Sequence, residues 1–389
     1  MSKKNIYLMY AISCLQGMVF YGPIATLYRQ IQGVTIFEIT LIESISLALC
    51  LLLELPWGIL ADKIGYKRTM IVCCLFYFVS KIVFWRAATF LTFLLERILL
   101  SVAISGFSGV DMSILYLSVS KEDSQKVFGV YDGLSTVGLL AAAFLYSVVI
   151  GENYRLAGFL TVVSYGLAAM LSLFLTEVRE EGRERMNSKV FYDSLLQIFS
   201  DKYLLLFLFG IALLKETHQT VTVFLNQLLY VRAGMTNAMI GYLYIIVTIL
   251  GMGSIFSAAV TKRMGRNFLI RICYLTSAIV CLILAFTCNG WGVVVGIMLF
   301  RLVFSLFTPL QAQMQNEWVI TAKRATALSV NAVIIDSVGI GTNLIYGTLA
   351  ERSLTAALVS GAVLCIIGFG FIEIGKKGRC NEGGNETWR

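Results

Sequence analysis

The feature that most constrains this fold is a series of twelve long apolar segments separated by short polar stretches. Each is long enough to cross a bilayer, which takes about 20 apolar residues. Only 14% of the residues are charged, against about 25% in a soluble domain, so the chain has too little polar surface for a soluble globule. The sequence therefore predicts an all-α membrane protein whose twelve transmembrane helices cover 5–28, 35–61, 69–86, 89–118, 125–150, 154–176, 203–230, 237–262, 267–288, 291–318, 325–350 and 353–375.

The lysines and arginines are distributed unevenly between the two sides of this topology. The chain has 31 of them and a formal net charge of +8. With the N-terminus inside, 22 fall on the inner side, and four fall within helices: Lys81, Arg97, Lys215 and Arg301. The other five lie on the outer side: Arg29, Arg86, Arg155, Arg232 and Arg352. Because basic residues concentrate in cytoplasmic loops, both termini are predicted to be cytoplasmic. The membrane topology thus explains the positive net charge of the chain, and no nucleic-acid partner is expected.

The longest polar run of the chain divides it into two halves. This run, 177–202, carries charges of both signs and is interpreted as a cytoplasmic linker. The predicted domains are an N-terminal six-helix bundle at 1–176 and a C-terminal six-helix bundle at 203–376. A cytoplasmic tail follows at 377–389.

An internal repeat supports two related halves. A shift of 200 residues places Gly65 on Gly265, each within a short basic turn. A shift of 204 aligns three further pairs: Arg97 with Arg301, Ser101 with Ser305, and Asp132 with Asp336. Nearly equal offsets at corresponding helices predict two pseudo-symmetric bundles, a common plan in transporters.

The turn after the second apolar segment carries a recognisable motif. Residues 58–68 have the pattern G-x-L-A-D-x-x-G-x-K-R, which resembles the loop motif between helices 2 and 3 of the major facilitator superfamily. Residues 105–118 are similar to helix 4 of drug-efflux-like members of that superfamily. Asn316 and Glu317, with 324–329, are similar to their helix 10–11 loop.

This resemblance implies the superfamily's fold, its alternating-access transport, and a conformational latch. In the loop, Asp62 is expected to pair with a basic residue or to cap a neighbouring helix, whose N-terminus favours a carboxylate. The resemblance also places helices 5 and 11 at the interface between the halves. There a carboxylate would form a contact across the interface in one conformational state and break that contact in another. The implied gating residues are Gly58, Asp62, Gly65, Lys67, Arg68, Asp132 and Asp336.

The resemblance further implies that helices 1, 4, 7 and 10 line a central cavity. Polar residues recur at helical spacing along these four helices, and polar groups within membranes typically face a cavity or a partner. The candidate substrate-cavity residues are Gln16, Tyr21, Arg97, Ser101, Ser108, Lys215, His218, Gln219, Thr222, Arg301, Ser305 and Thr308.

Three titratable residues within the helices are candidates for proton coupling. Asp111 and Glu216 are intramembrane carboxylates, and His218, the only histidine of the chain, belongs to the residue type that exchanges protons near neutral pH. Lys215 and Glu216 are adjacent and so about 100° apart on their helix, which prevents both from pointing straight into one cavity. A static ion-pair cluster with Arg301 or Arg97 is the alternative.

The resulting functional prediction is a secondary active transporter that exports small amphipathic compounds in exchange for protons. It would be a monomer in a bacterial cytoplasmic (inner) membrane, with a small-molecule substrate, the bilayer and protons as its partners. No metal, cofactor or enzymatic activity is expected, because the sequence has no metal-ligand spacing, nucleophile elbow or phosphate loop. Three alternatives stay open: an uptake symporter or facilitator for an anionic or zwitterionic solute, a polytopic enzyme, and a ligand sensor.

Overall fold

The computed structural model describes residues 3–119, 123–178, 201–318 and 324–381. Within these ranges twelve helices are long and apolar enough to cross a membrane, which confirms the predicted number. They are α1 (Lys3–Ile31), α2 (Ile36–Ile64), α3 (Tyr66–Arg86), α4 (Phe90–Ser118), α5 (Lys126–Ile150), α6 (Tyr154–Ser172), α7 (Lys202–Arg232), α8 (Asn237–Met264), α9 (Arg266–Phe286), α10 (Gly290–Trp318), α11 (Arg324–Arg352) and α12 (Leu354–Asn381).

The described residues divide into two compact units. Unit 1 takes its residues from 1–185 and 236–245, and unit 2 takes the others. The first turns of α8 therefore belong with α1–α6, where the Asn237 side-chain amide donates to the Tyr154 hydroxyl at 2.7 Å. Most of the predicted linker, 177–202, and of the predicted tail, 377–389, lies outside the described residues, and the domain boundaries stay a prediction.

The two turns that the repeat aligns have the same backbone conformation. Gly65 joins α2 to α3 with φ +95° and ψ 154°, and Gly265 joins α8 to α9 with φ +85° and ψ 143°. Glycine adopts this region without the steric cost that a side chain imposes. The shift of 200 residues thus identifies equivalent positions.

Two glycines bring the backbones of α1 and α5 together in unit 1. A Cβ atom added to Gly17 would collide with the Ser135 carbonyl, and one added to Gly138 would collide with the Cys14 carbonyl. Small residues allow such close approach between membrane helices, which then pack through van der Waals contact.

Gly138→Ala is expected to destabilise unit 1, because rigid backbone on α1 occupies the space of the new methyl group. The expected cost is about 1–3 kcal/mol, as for other overpacked contacts. Thermal unfolding of the purified protein in detergent measures it. Gly133→Ala on the same helix is the matched control, since nothing lies within 4 Å of its added Cβ. Equal unfolding temperatures for the two variants would contradict the close contact.

Five of the described helices depart from regular α-helical geometry, among them α1, α4 and α7, which carry predicted site residues. A 3₁₀ turn at Gly22–Ile24 interrupts α1, and Gly109, with φ +79°, interrupts α4. In α7 the segment Thr220–Leu225 is a π-helix. Such irregularities are frequent at functional sites, and broken helices form ion and substrate sites in many transporters.

Candidate functional site

A network of five charged side chains lies inside unit 1, between α1, α2, α3 and α4. Arg29 pairs with Glu43 at 3.5 Å and with Glu96 at 3.9 Å. Lys81 pairs with Glu96 at 3.7 Å, and Arg97 pairs with Glu43. Arg97 is 24% exposed, whereas the other four side chains are at most 6% exposed. The network contains three cations and two carboxylates, so it carries one excess positive charge.

Hydroxyl groups connect this network to residues predicted to line the cavity. The Lys81 ammonium donates to the Tyr21 hydroxyl at 3.0 Å. The Arg97 guanidinium donates to the Ser46 hydroxyl at 3.2 Å, and Ser46 and Ser101 share a hydrogen bond of 2.7 Å. Tyr21, Arg97 and Ser101 are thus brought together as parts of one buried network.

The predicted end of the first helix, at residue 28, is too early, because α1 extends to Ile31 and includes Arg29. Arg29 lies within α1, is 5% exposed, and contacts carboxylates from two other helices. A buried guanidinium needs such partners, because the desolvation of an unpaired charge is costly. Its partners Glu43 and Glu96 lie within predicted membrane-spanning helices. Carboxylates in such helices usually pair with a cation, so their presence in the sequence was a signal that a cationic partner exists.

A second group of charges lies in unit 2, between α7 and α11. The Lys215 ammonium is 2.5 Å from Asp336 Oδ1 and 3.9 Å from Glu216 Oε1. The Lys215 and Asp336 side chains are 35% and 30% exposed, whereas the Glu216 side chain is 3% exposed. As their 100° separation predicts, Lys215 and Glu216 differ in orientation. Two carboxylates and one ammonium leave this group one negative charge.

The structure gives two of these acidic residues a partner that the sequence did not indicate. The sequence left open an ion-pair cluster with Arg301 or Arg97, and the described ion-pair contact of Glu216 is with Lys215. Asp336 pairs with Lys215 inside unit 2, and Asp132 has an exposed side chain in unit 1. Asp336 therefore has a local partner that the equivalence with Asp132 did not indicate.

His218 is packed between aromatic rings rather than on an open polar surface. Its ring stacks on Phe304 with centroids 3.8 Å apart and meets the edge of Phe300 at 5.6 Å. The Thr222 hydroxyl donates to the His218 carbonyl at 2.8 Å and lies 3.3 Å from Nε2. At 4% exposure, His218 contributes to the packing of α7 against α10.

Asp111 has hydrogen-bond donors at both carboxylate oxygens. It lies in the first helical turn after Gly109, where its Oδ1 accepts from the Met112 N–H at 2.7 Å. The Tyr131 hydroxyl donates to Oδ2 at 3.2 Å. A carboxylate at the N-terminal end of a helix is electrostatically favoured. A structural role at this helix end therefore explains why a carboxylate is present at position 111.

The other predicted cavity residues are scattered and mostly bond locally. Gln16 donates to Cys74 Sγ at 3.6 Å, and Gln219 is half-buried. Ser305 is buried and bonds to the Leu302 carbonyl at 2.7 Å, while the Thr308 hydroxyl bonds to Phe304 at 2.9 Å. Ser108 is exposed, and the Arg301 guanidinium lies against Gly251 in unit 2. Bonds of hydroxyls to their own helix are common in membrane helices.

At the loop motif, the residue that caps α3 is Glu177. Its Oε1 accepts from the Lys67 backbone N–H at 3.3 Å, and its carboxylate lies against Gly65. The Asp62 side chain lies outside the described part, while Gly58 and Arg68 are exposed. Sequence reasoning missed Glu177, although an acidic residue at the start of the linker was its signal. Among the described side chains, Glu177 thus supplies a carboxylate cap to this helix N-terminus.

The fold and these buried charge groups define a polytopic helical membrane protein with polar groups held inside the bilayer. The profile of the Major Facilitator Superfamily matches residues 6–342. The chain therefore belongs to the Major Facilitator Superfamily. Among the described residues, no group of three or more His, Cys, Asp or Glu side chains is arranged to hold a metal ion.

Individual relatives agree with this membership. An uncharacterized MFS-type transporter of Methanocaldococcus jannaschii, MJ1560, is 26% identical over 197 residues, which are 48% of this chain and 50% of that protein. The chain thus spans about half the length of that relative. Crystal structures of the nucleoside transporter NupG (TM-score 0.80, 15% identity) and of a bacterial homolog of the human lysosomal transporter Spinster (TM-score 0.76, 13% identity) have the same fold. They cover 95% and 98% of this chain, and it covers 98% and 99% of theirs.

Proposed function

We propose that this chain is a secondary active transporter that exports small amphipathic compounds in exchange for protons, by alternating access. The observation that carries the proposal is the group of Lys215, Glu216 and Asp336 in unit 2. The Lys215 ammonium lies closer to the Asp336 carboxylate, at 2.5 Å, than to the buried Glu216 carboxylate, at 3.9 Å. A buried carboxylate in this position is a natural site for one proton or one substrate cation at a time.

A site that holds either a proton or the substrate, but not both, couples the proton flux to the substrate flux. A proton on Glu216 removes the charge that attracts a cationic or polar substrate, and a bound substrate disfavours the proton. If the helices rearrange around a midplane site only when one of the two is bound, inward proton movement drives outward substrate movement. Asp111 and His218 stay weaker candidates, because their polar groups already have the local contacts described above.

The loop motif supports a latch in the same mechanism. The Glu177 carboxylate holds the N-terminus of α3, where the helix dipole favours a negative charge by about 0.3–1 kcal/mol. We assign gating to the set Gly58, Asp62, Gly65, Lys67 and Arg68, with Glu177 as its partner, and retain Asp132 and Asp336 as gating candidates. A contact of this energy is weak enough to break in each transport cycle.

The main alternative is an uptake symporter or facilitator for an anionic or zwitterionic solute. The excess positive charge of the unit 1 network favours it, because Arg97, its most exposed member, has five N–H donors and directs only some of them to Glu43 and Ser46. The fold shared with a nucleoside transporter is also compatible with uptake. We place either transporter in a bacterial cytoplasmic membrane as a monomer with both termini inside.

Accumulation in intact cells tests the export proposal. Cells that produce the protein and cells with an empty vector are given labelled cationic, neutral and anionic compounds, with and without a protonophore. Export predicts lower accumulation in producing cells, restored to the empty-vector level by the protonophore. Higher accumulation than in the empty-vector cells would favour the uptake alternative.

A further inference from the structure

Among the described residues of unit 2, three deeply buried side chains near one another on α7 and α11 have polar atoms without a hydrogen-bond partner. They are Glu216 (Oε2), Thr220 (Oγ1) and Asn343 (both amide atoms), and their exposed fractions are 2%, 0% and 1%. Buried polar groups are nearly always hydrogen-bonded, and each unsatisfied one costs about 1–3 kcal/mol. Asn331, nearer the start of α11, is a fourth such side chain on these two helices, and the grouping of the other three indicates a role other than packing.

The contacts between α7 and α11 establish how these helices align. Lys215 contacts Asp336, the Glu216 carboxylate lies against Gly339, and the Tyr346 hydroxyl donates to Thr217 at 2.8 Å. These contacts span residues 336–346 of α11 but only residues 215–217 of α7, so this stretch of α11 passes across one turn of α7.

These contacts place the three unpartnered groups within about one helical turn of one another. Thr220 lies one helical turn beyond Glu216, and Asn343 lies one turn beyond Gly339, each on the face of its partner residue. Glu216 reaches the backbone of α11, since a Cβ on Gly339 would be 2.8 Å from its carboxyl carbon. Asn343 lies between Gly339 and Tyr346 along α11, and it therefore faces the turn of α7 that holds Glu216 and Thr217, one turn before Thr220.

The charges around this place favour a single positive group. The charged side chains in contact with Glu216 are Lys215 on α7 and, through it, Asp336 on α11. Lys215 faces Oε1, so the unpartnered Oε2 is the other oxygen. The three groups sum to one negative charge, and a buried charge of this kind requires a compensating partner.

The backbone of α7 also changes at this point. The α-helix ends at Gln219, and the π-helix begins at Thr220. π-helical turns are rare and frequently mark functional sites. The unpartnered hydroxyl thus lies where α7 departs from regular geometry.

We propose that Glu216, Thr220 and Asn343 form a subsite for the ammonium group of a transported primary amine. A carboxylate oxygen, a hydroxyl oxygen and an amide oxygen offer three acceptors, which match the three N–H donors of R–NH₃⁺. The inference rests on the proposed function and names the substrate class of that site. An ammonium on Glu216 occupies the position of the exchanged proton.

Binding to the purified full-length protein in detergent tests the subsite without transport. The probes are three primary phenylalkylamines of increasing chain length, their N-trimethyl analogues, and the corresponding alcohols. The trimethyl compounds keep the charge but have no N–H donors. Thr220→Val and Asn343→Leu are each expected to weaken amine binding about tenfold or more, in line with hydrogen bonds to charged groups. Binding of the trimethyl compounds is expected to change little.

Thr342→Val is the matched control for these variants. Thr342 is the buried neighbour of Asn343, but its hydroxyl already bonds to the Val338 and Gly339 carbonyls at 3.1 and 3.2 Å. The proposal predicts unchanged amine binding in this variant. Equal losses for amines and trimethyl analogues, or losses in Thr342→Val as large as in Thr220→Val, would overturn it.

The outcomes separate this subsite from the proposed function. If no amine in the panel binds to folded wild-type protein, the buried atoms hold water only and the subsite is overturned. Proton-linked transport of compounds without an amine would then leave the proposed function standing. Amine binding that is lost in Thr220→Val, without proton-linked flux of any compound, would support the subsite and reject proton exchange.

Discussion

Glu216→Gln is expected to reduce substrate flux driven by a pH gradient to the level of protein-free liposomes. Glutamine keeps the volume and the polar atoms of the side chain but neither binds the exchanged proton nor carries the charge. The flux is measured as uptake of labelled substrate into proteoliposomes after a pH step, with protein content matched between variants.

Asp111→Asn is the control for this prediction. Asp111 is also an intramembrane carboxylate, but both of its oxygens already accept hydrogen bonds, from the Met112 N–H and the Tyr131 hydroxyl. The gradient-driven flux should persist in this variant. Loss in Asp111→Asn with retention in Glu216→Gln would move the coupling role to unit 1 and contradict the assignment.

Glu43→Gln is expected to have the largest effect on stability, about 3–5 kcal/mol, as for other broken buried ion pairs. Glu43 contacts both Arg29 and Arg97, so its neutralisation leaves three buried cations with one carboxylate. Chemical unfolding in detergent, followed by tryptophan fluorescence, measures the loss.

A second variant distinguishes charge from packing in this network. Glu43→Gln with Arg97→Gln restores the original excess of one positive charge and should recover part of the lost stability. Asp132→Asn, at an exposed carboxylate of the same unit, should change stability by no more than about 0.5 kcal/mol. A double variant less stable than Glu43→Gln alone would mean that the charge excess is not the cause.

The helices were predictable because the bilayer imposes a length and a polarity on each of them. The sequence predicts 89–118 and 291–318, and the structure has Phe90–Ser118 and Gly290–Trp318. The repeat was predictable in the same way, since Gly65 and Gly265 serve the same turn. Both inferences depend on short stretches of sequence, the apolar spans and the glycine turns, and not on how the helices pack.

The pairing of buried charges was not predictable, because it depends on how neighbouring helices are rotated and aligned. Nothing in the sequence distinguishes Lys215 from Arg301 as a partner for an intramembrane carboxylate. The predicted first helix ended before Arg29 because a position near a helix end fits a loop residue and a network member equally well. Capping of α3 by Glu177 likewise depends on where the chain arrives after α6.

The proposed ammonium subsite had a weak sequence signal. Asp336, Gly339, Asn343 and Tyr346 recur at spacings of three and four residues, so they share one face of α11. That pattern indicates a polar contact surface but not its partner. The structure adds the partner helix, through Glu216 and Thr220, and the absence of hydrogen bonds to their unpartnered atoms among the described residues.

The most direct test of proton exchange is the internal pH of proteoliposomes when a transported compound is added outside. Exchange moves protons out as the compound enters, so the account predicts that a trapped pH dye reports alkalinisation, absent in Glu216→Gln. Acidification would indicate symport and reverse the proposed direction of coupling. Entry of the compound without a pH change would contradict proton coupling altogether.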